Sequence, residues 1–300
     1  MCPAAADSPG KPAVGIGFRL PIAGWICDNL NLFDVLEITV DHYINGGDGT
    51  RAIFKDLVGR IPMVAHSVGL SIGTDAPLDE AYLEQVARSI NDLKMPSYSE
   101  HLAWTKTPEI DLANLLPVPK TEAVAESIIE KVRFVQSYVG VPFSLENISY
   151  LFDFPDSQFT DAEFFNLISR ATGVEMLLDI ENLYLNSLNH RFEPREFLDA
   201  LPPAIVTGIH VAGGPVVCRD YLTQPVWIDA HSDQVPQPVF DLLDDVLAEH
   251  RPATVVLERD EALERVDEIA QDIERIRAHV DGWQGKVRTY AGEQAARSSN

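Results

Sequence analysis

The sequence predicts an α/β chain folded as a single (β/α)8 barrel of the TIM type. Eight short apolar runs rich in β-branched residues recur at intervals of roughly 25 to 45 residues, as the strands of a parallel sheet do. Most of these runs are separated by stretches with helical periodicity, which is the order expected of a barrel. No glycine-rich dinucleotide fingerprint follows the first run, so a doubly wound sheet is the second choice.

The predicted strands follow one another along most of the chain, and each is nearly continuous in apolar residues. Such runs suit a parallel sheet that is covered on both faces. The eight strands are VGIGF (14–18), FDVLEI (33–38), IPMVAH (61–66), PSYSEH (96–101), VPFSLEN (141–147), VEMLLDI (174–180), AIVTGIH (204–210) and ATVVLER (253–259).

Three intervening segments show the clearest helical period. Residues 78–93, 121–139 and 264–280 each repeat apolar side chains along one stripe. Thr121 and Thr160 are each followed by an acidic residue and are predicted to begin helices. The whole pattern therefore predicts helices that cover the outside of a barrel.

Composition places limits on organisation and partners. We expect one barrel domain over residues 1–283 and a loose tail over residues 284–300. Lys and Arg total 23 against 46 Asp and Glu, which gives a formal net charge of −23. A field of that sign repels phosphate backbones, so nucleic acid is not an expected partner.

Cysteine use and targeting signals favour the cytoplasm. Cys2, Cys27 and Cys218 are scattered and form no CxxC pair, which is typical of a reducing compartment without disulfides. The N-terminus lacks the basic start and apolar core of a signal peptide. No apolar run approaches the roughly 18 residues that a membrane span needs, so no membrane is expected as a partner.

Polar side chains gather where the predicted strands end. In a β/α barrel these ends form one rim, and chemistry takes place there. The third strand ends at His66, and each of the next five ends in a His or a carboxylate. The rim residues, with two from the loop after the seventh strand, are His66, Glu100, His101, Glu146, Asn147, Asp179, Asn182, His210, Asp229, His231 and Glu258.

The combination predicts a multinuclear metal site. A single strand-end His is more often a hydrogen-bonded structural residue, and a lone Asp there often caps the next helix. Burying so many ionisable groups without a partner is costly, and cations are the obvious partner. Imidazole and carboxylate without thiolate suit iron, manganese or zinc. The number of ligands exceeds what one ion uses, so two or three ions are expected.

Several neighbouring residues leave alternatives open. Asp179 is expected to point into the barrel, with Asn182 facing the same site from a loop or serving as a turn residue. Glu181, between them, is expected to point outward or to bind a neighbour. Arg19 suits either a substrate carboxylate or a structural ion pair, and His250 is expected at the surface of a helix.

Eight motifs in a fixed order carry a resemblance that covers residues 14 to 280. They are GIGFR, AHSVGLSIG, SEHLAW, LENIS, LLDIEN, IHVAGG, DAHSD and LERD. Together they resemble the multinuclear non-heme iron-dependent oxidative enzymes, the family that includes the iron enzyme of methanobactin biosynthesis.

The resemblance implies a β/α barrel that holds two or three irons and uses dioxygen to modify a ribosomally made precursor peptide, often at cysteine. It also implies a partner protein that binds the leader of that peptide, in a heterodimer. Glu146, Asp179 and His210 are the expected catalytic residues. The iron ligands implied by the matching motifs are His66, His101, Glu146, Asp179, Asn182, His210, Asp229, His231 and Glu258.

Two departures and three competing functions accompany this interpretation. Relatives often have Asn where this chain has Glu181, and the second strand reads EITVDHY rather than the more usual histidine-containing form. The main alternative is a metal-dependent sugar isomerase or epimerase on a similar barrel. A metal-dependent nuclease is disfavoured by the net charge, and a non-catalytic peptide-binding barrel would hold no metal at the rim.

Overall fold

Eight parallel strands close into a barrel in this computed structural model, which describes residues 10–107, 110–217 and 225–282. The described strands are β1 (Ala13–Gly17), β2 (Val35–Thr39), β3 (Met63–Ser67), β4 (Tyr98–His101), β5 (Trp104–Lys106), β6 (Asp111–Leu116), β7 (Phe143–Glu146), β8 (Glu175–Asp179), β9 (Val206–Val211), β10 (Val216–Val217), β11 (Val226–Trp227) and β12 (Thr254–Leu257).

The strand order around the barrel is β1-β12-β9-β8-β7-β4-β3-β2, so the first and last strands pair with each other. Sequence neighbours in this set are spatial neighbours, as the (β/α)8 topology requires. The predicted fold class is therefore confirmed, and each of the eight barrel strands begins and ends within two residues of its predicted bounds.

Ten described helices surround the barrel. They are α1 (Ala23–Asp28), α2 (Val40–Asn45), α3 (Asp48–Leu57), α4 (Glu80–Leu93), α5 (Glu122–Val139), α6 (Asp161–Thr172), α7 (Ile180–His190), α8 (Pro194–Ala200), α9 (Gln237–Glu249) and α10 (Val266–Gly282). Both predicted helix starts are confirmed. Thr121 accepts a hydrogen bond from the Val124 amide, and Thr160 forms a reciprocal capping box with Glu163.

Apolar burial holds strands and helices together. The helix α5 turns Ile128, Val132 and Val135 inward, and each is almost completely buried. Burying a side chain of this size stabilises the fold by about 1.5–3 kcal/mol. The strand interiors are equally buried, because helices cover the outside of the barrel and strand side chains fill its centre.

Two antiparallel hairpins, which the sequence analysis did not predict, extend from the carboxyl rim of the barrel. The first pairs β5 with β6 directly after β4, and the second pairs β10 with β11 after β9. They lie on the side where the predicted site residues gather. They therefore add walls to the functional end of the barrel.

Some expectations fall on residues that the structure does not describe. The predicted tail over residues 284–300, Cys2 and Cys218 lie outside the described ranges, and Cys27 is a free cysteine. Among the described residues, no helix is both long enough and apolar enough to cross a membrane.

His250 corrects the expectation of a surface residue. It follows α9 directly, is 2% exposed, and neither ring nitrogen has a hydrogen-bond partner among the described residues. The sequence pattern was misleading because the residue lies at the end of an acidic helix, where the tertiary neighbours that bury it are not encoded locally. Burial, followed by the charge of Arg195, lowers the pKa of His250 to about 4.

This burial predicts a pH-dependent loss of stability that His250→Leu removes. The folded state disfavours protonation, so the stability is fully present above a pH of about 6.5, the pKa of an unfolded histidine, and is lost as the pH falls toward 4. We expect the free energy of unfolding of the wild type to decline relative to the variant by on the order of 2–3 kcal/mol between pH 7 and pH 4. Denaturant unfolding at both pH values measures this difference, and parallel pH profiles would contradict it.

Candidate metal centre

The structure brings the predicted rim residues together in three adjoining clusters. The first contains His66, His101 and Glu146; the second contains Glu146, Asp179, His210 and Glu258; the third contains Glu181, Asp229 and His231. Within each cluster one potential ligand atom of every residue lies within 4.8 Å of the others. Glu146 belongs to two clusters, so the first and second are continuous.

The first cluster lies at the ends of β3, β4 and β7. The Nε2 atoms of His66 and His101 lie 3.5 and 3.4 Å from the same oxygen, Oε2 of Glu146. The Nδ1 atom of His66 is hydrogen-bonded at 2.9 Å to Oγ of Ser99, and Nδ1 of His101 lies 3.6 Å from Glu100. His66 is thus oriented by a hydrogen bond through Nδ1, and both imidazoles present Nε2 to the cluster.

The two imidazoles of this cluster differ in their electrostatic environment. Burial is the main cause that lowers the pKa of His66 to about 3; the charge of Glu146 acts against it, and the imidazoles of His101 and His210 act with it. Burial also acts to lower the pKa of His101, but Glu146 and Glu100 outweigh it and raise the pKa to about 9. A neutral His66 has a free nitrogen lone pair, which is the form that binds a metal.

The second cluster is the most deeply buried. The Nδ1 atom of His210 lies 2.9 Å from Oε1 of Glu146 and 3.0 Å from Oε2 of Glu258. On the other side of the ring, Nε2 is hydrogen-bonded at 2.8 Å to Glu37. Burial opposes charge on this imidazole, yet the carboxylates of Glu258, Glu37 and Glu146 raise its pKa well above the usual value. Burial raises the pKa of Asp179 well above its usual range.

The third cluster joins the start of α7 to the loop before α9. The Nε2 atom of His231 lies 2.6 Å from Asp229, 3.7 Å from Glu181 and 3.8 Å from Asp179. Its Nδ1 atom is hydrogen-bonded at 3.0 Å to Asp260. The backbone of His231 has a φ of 45°, in the left-handed region that costs a non-glycine residue energy.

The structure corrects the expected surroundings of Asp179. Helix α7 begins immediately after it, so Asn182 lies in the first helical turn rather than in a loop. Asp179 caps this helix: its Oδ1 accepts a hydrogen bond from the Asn182 amide at 2.7 Å, while Oδ2 faces the clusters. Glu181 was expected to point outward but is 1% exposed and faces the third cluster.

The side chain of Asn147 fixes two ligand-bearing strand ends relative to each other. Its Nδ2 donates to the Asp179 carbonyl, and its Oδ1 accepts from the Asp179 amide, both at 2.9 Å. This double hydrogen bond extends the β7–β8 pairing beyond the last paired residues, Glu146 and Leu177. Asn147 is therefore a structural residue of the rim.

Gly213 and Gly214 allow the loop with Asp229 and His231 to approach the barrel closely. A Cβ atom at Gly213 would collide with the Gln234 carbonyl, and one at Gly214 would collide with the Ile228 carbonyl. The Asp233 amide donates to the Gly213 carbonyl at 2.9 Å and fastens the loop in place. The glycines thus serve backbone-to-backbone approach.

A cavity of about 670 Å3 opens above the clusters. His66, His101, Glu146 and Glu258 line its floor, and Asn182, Asp229 and His231 line one side. Its outer wall includes several exposed apolar side chains, namely Val68, Leu151, Phe152 and Ile228. A polar floor beneath an apolar mouth suits a ligand that presents a polar reacting group on a partly apolar body.

Sequence reasoning missed two members of this site and left a third undecided. Glu37 lies within an apolar strand and bonds His210, and Asp260 lies two residues beyond Glu258 and bonds His231. Arg19 forms ion pairs with Glu258 at 3.3 Å and Asp260 at 2.5 Å. Of the two roles that the sequence left open for Arg19, these contacts match the structural ion pair. The sequence feature that could have identified Glu37 is a carboxylate inside strand β2, whose other residues are apolar or Thr.

The donor atoms fit a metal centre. Buried polar atoms in native proteins almost always have hydrogen-bond partners. Here several atoms that face the clusters have none among the described residues: Glu146 Oε2, Asp179 Oδ2, both Glu181 oxygens, Asn182 Oδ1 and His231 Nε2. Imidazole and carboxylate donors without thiolate are typical ligands of iron, manganese and zinc.

A closed β/α barrel with such a rim has the architecture of a metal-dependent TIM-barrel enzyme. The sequence profile of the RiPP precursor modification enzymes MbnB/TglH/ChrH matches residues 13–281. The chain belongs to this family, which confirms the resemblance inferred from its motifs.

Curated relatives support the same membership. A UPF0276 protein of Streptomyces avermitilis is 31% identical over 275 residues, which cover 89% of this chain but 55% of that protein. A UPF0276 protein of Shewanella oneidensis is 30% identical over 267 residues, which cover 89% of this chain and 93% of that protein. The chain therefore spans about half of the first relative and nearly all of the second.

Solved structures confirm the fold. A D-psicose 3-epimerase in the presence of D-fructose has a TM-score of 0.54 at 14% identity, covering 91% of this chain and 99% of that one. A xylose isomerase-like TIM-barrel protein from Mycobacterium smegmatis in complex with magnesium has a TM-score of 0.58 at 15% identity, covering 88% and 89%. Identities this low show a shared barrel and no more.

The hydrogen bond between Glu37 and His210 predicts that Glu37→Gln weakens metal binding. A carboxylate on the outer nitrogen of a metal-binding imidazole fixes its orientation, and its loss typically lowers metal affinity about 10- to 100-fold. We expect the variant to release at least one ion to a chelator that leaves the wild type loaded, as measured by metal analysis after dialysis. Glu175→Gln, an exposed acid at the start of β8, is the matched control. Equal retention in all three proteins would contradict the role of Glu37.

Proposed function

We propose that this protein is an iron-dependent oxidoreductase that uses dioxygen to modify a ribosomally synthesised precursor peptide at cysteine. The observation that carries the proposal is that three adjoining imidazole–carboxylate clusters lie beneath one cavity, in a chain of the RiPP precursor modification family. Two or three iron ions, with dioxygen as co-substrate, are the proposed cofactors.

The proposed ligands are the residues that converge on the clusters. His66, His101 and Glu146 would hold one ion, and Glu146 would be shared with a second ion held by Asp179, His210 and Glu258. Asn182, Asp229 and His231 would contribute to a third. When bound, iron would supply the redox chemistry with dioxygen and the positive charge that deprotonates a cysteine thiol.

The clusters differ in access, which supports a division of roles. Asp179 and His210 are completely buried and do not line the cavity, whereas His66, His101 and His231 do. Catalytic metal sites keep a position open to substrate, and structural ones are closed by protein ligands. The first and third clusters are therefore the proposed places of substrate contact, and the second anchors the centre.

The shape and chemistry of the cavity favour a peptide. Leu151 and Phe152 are 61% and 47% exposed at its mouth, where they can contact apolar side chains that flank a reacting cysteine. Below them the cavity becomes polar, and its walls orient one side chain toward the clusters and exclude bulk water.

The proposed partners are the precursor peptide and a leader-binding protein that forms a heterodimer with this chain, and the proposed location is the cytoplasm. The apolar residues at the cavity mouth would contact only the part of the peptide near the reacting residue. A second protein that holds a distant leader segment would raise the effective concentration of the core peptide at the cavity.

Iron loading tests the metal centre. Apoprotein incubated with Fe(II) without oxygen and then desalted is expected to retain at least two irons per chain by metal analysis. His66→Ala removes a donor of the first cluster and is expected to lose about one iron. His279→Ala is the matched control, since that imidazole lies on α10 and contacts Asp244 away from the rim. Less than one iron per wild-type chain would overturn the proposal.

Oxygen uptake tests the reaction. The iron-loaded protein, with a precursor peptide and leader-binding protein encoded beside its gene, is expected to consume dioxygen and to change the peptide mass. A peptide with serine in place of each cysteine is expected to support neither effect, because it lacks the thiol that binds the metal. Turnover of a free sugar without oxygen uptake would instead indicate an isomerase or epimerase, and uptake with the serine peptide would refute cysteine as the target.

A further inference from the structure

Glu181 occupies an environment in which an uncompensated carboxylate is costly. Its side chain is 1% exposed, and neither oxygen has a hydrogen-bond partner in the described part of the chain. The nearest cationic group is His231, whose Nε2 lies 3.7 Å from Oε2. A buried carboxylate without compensation costs several kcal/mol, so its retention at this position calls for a partner.

His231 cannot neutralise this carboxylate alone. Its Nε2 is closer to Asp229, at 2.6 Å, and its Nδ1 is bonded to Asp260 at 3.0 Å. Oδ2 of Asp179 is a further unpartnered carboxylate oxygen, 3.8 Å from the same Nε2. One imidazole thus faces five acidic groups, since Oε2 of Glu258 also lies 3.6 Å from its Nδ1. Among the described residues Arg19 pairs with Glu258 and Asp260 only, so the third cluster has a deficit of positive charge.

The backbone around Glu181 leaves space for its side chain. A Cβ atom on Gly214 would lie 3.0 Å from Oε1 of Glu181, closer than a comfortable contact. The glycine therefore allows the carboxylate to extend toward the loop that contains Asp229 and His231. Oδ1 of Asn182, also buried and unpartnered, comes from the same helical turn.

We propose that Glu181 is a direct anionic ligand of the third ion, and that it makes the third site a tight, permanently filled one. The inference rests on the proposed metal centre and adds to it a ligand that the motif comparison did not supply. With Glu181, Asp229 and His231 the third cluster has two carboxylates and an imidazole, and Asn182 offers a neutral oxygen. A second negative charge at the site strengthens binding of a divalent cation more than an amide does.

The inference predicts three ions per chain, of which the third depends on residue 181. Apoprotein is titrated with Fe(II) alone under anaerobic conditions, and free and bound metal are separated by equilibrium dialysis. Wild type is expected to bind three ions. Glu181→Gln, which keeps shape and loses charge, is expected to retain two and to bind the third at least about tenfold more weakly. Glu181→Asp, which keeps the charge, is expected to recover part of the loss.

Thermal unfolding gives a readout that is independent of metal counting. Without metal, Glu181→Gln is expected to raise the melting temperature at a pH above about 8, because burial raises the pKa of Glu181 to about 8 and the variant removes the buried charge present above it. With Fe(II), the gain in melting temperature of the variant is expected to be smaller than that of wild type, because the stabilisation by a bound ligand grows with the logarithm of its affinity for the folded state. Glu175→Gln is the matched control and is expected to behave as wild type in both experiments.

The outcomes separate this inference from the function it deepens. If wild type binds two or three ions and Glu181→Gln matches it in number, affinity and thermal gain, the role of Glu181 is overturned and the metal centre stands. If wild type binds no ion, both are overturned. If the third ion is lost in Glu181→Gln and partly restored in Glu181→Asp, the assignment is supported.

Discussion

Repulsion among carboxylates held out of water is the constraint on which the rest of this structure depends. Glu37, Glu146, Asp179, Glu181 and Glu258 are each at most 7% exposed and lie at one end of one barrel. A cluster of this sign would expand or take up protons unless cations were placed among its members. Arg19 and the imidazoles meet part of that requirement, and the remaining unpartnered oxygens mark where cations are still needed.

The barrel provides the stiffness to hold such a cluster together. Parallel strands deliver Glu146, Asp179 and His210 to one rim with their backbones fixed by neighbouring strands on both sides. The apolar interior below them stabilises each strand, and this stabilisation exceeds the repulsion among a few charges at the rim. The strained backbone of His231 is tolerated because the surrounding loop is fastened to Gly213. Stability from the core is thus used to maintain an unfavourable arrangement of charge at the functional end.

The sequence predicted most of this design because periodicity and strand ends are local signals. The eight barrel strands and the helix caps at Thr121 and Thr160 follow from short patterns, and the rim residues follow from the rule that strand ends converge. The sequence did not predict the hairpins, because β5, β10 and β11 have only two or three residues each. The inward orientation of Glu181 and the burial of His250 escaped because they depend on which distant segment packs against a helix end. Glu37 escaped because its partner, His210, is 173 residues away.

The double hydrogen bond between the Asn147 side chain and the Asp179 backbone affects how easily different parts of the centre can move. It ties the backbone of Asp179 to the end of β7 by two hydrogen bonds, whereas Asp229 and His231 come from a loop outside the barrel sheet. Ions that gain or lose an electron change their preferred bond lengths. In the proposed centre the strand ends with Glu146 and Asp179 would resist such changes, and the loop with Asp229 and His231 would absorb them. The reorganisation that accompanies electron transfer would therefore be concentrated on the side of the centre that faces incoming substrate.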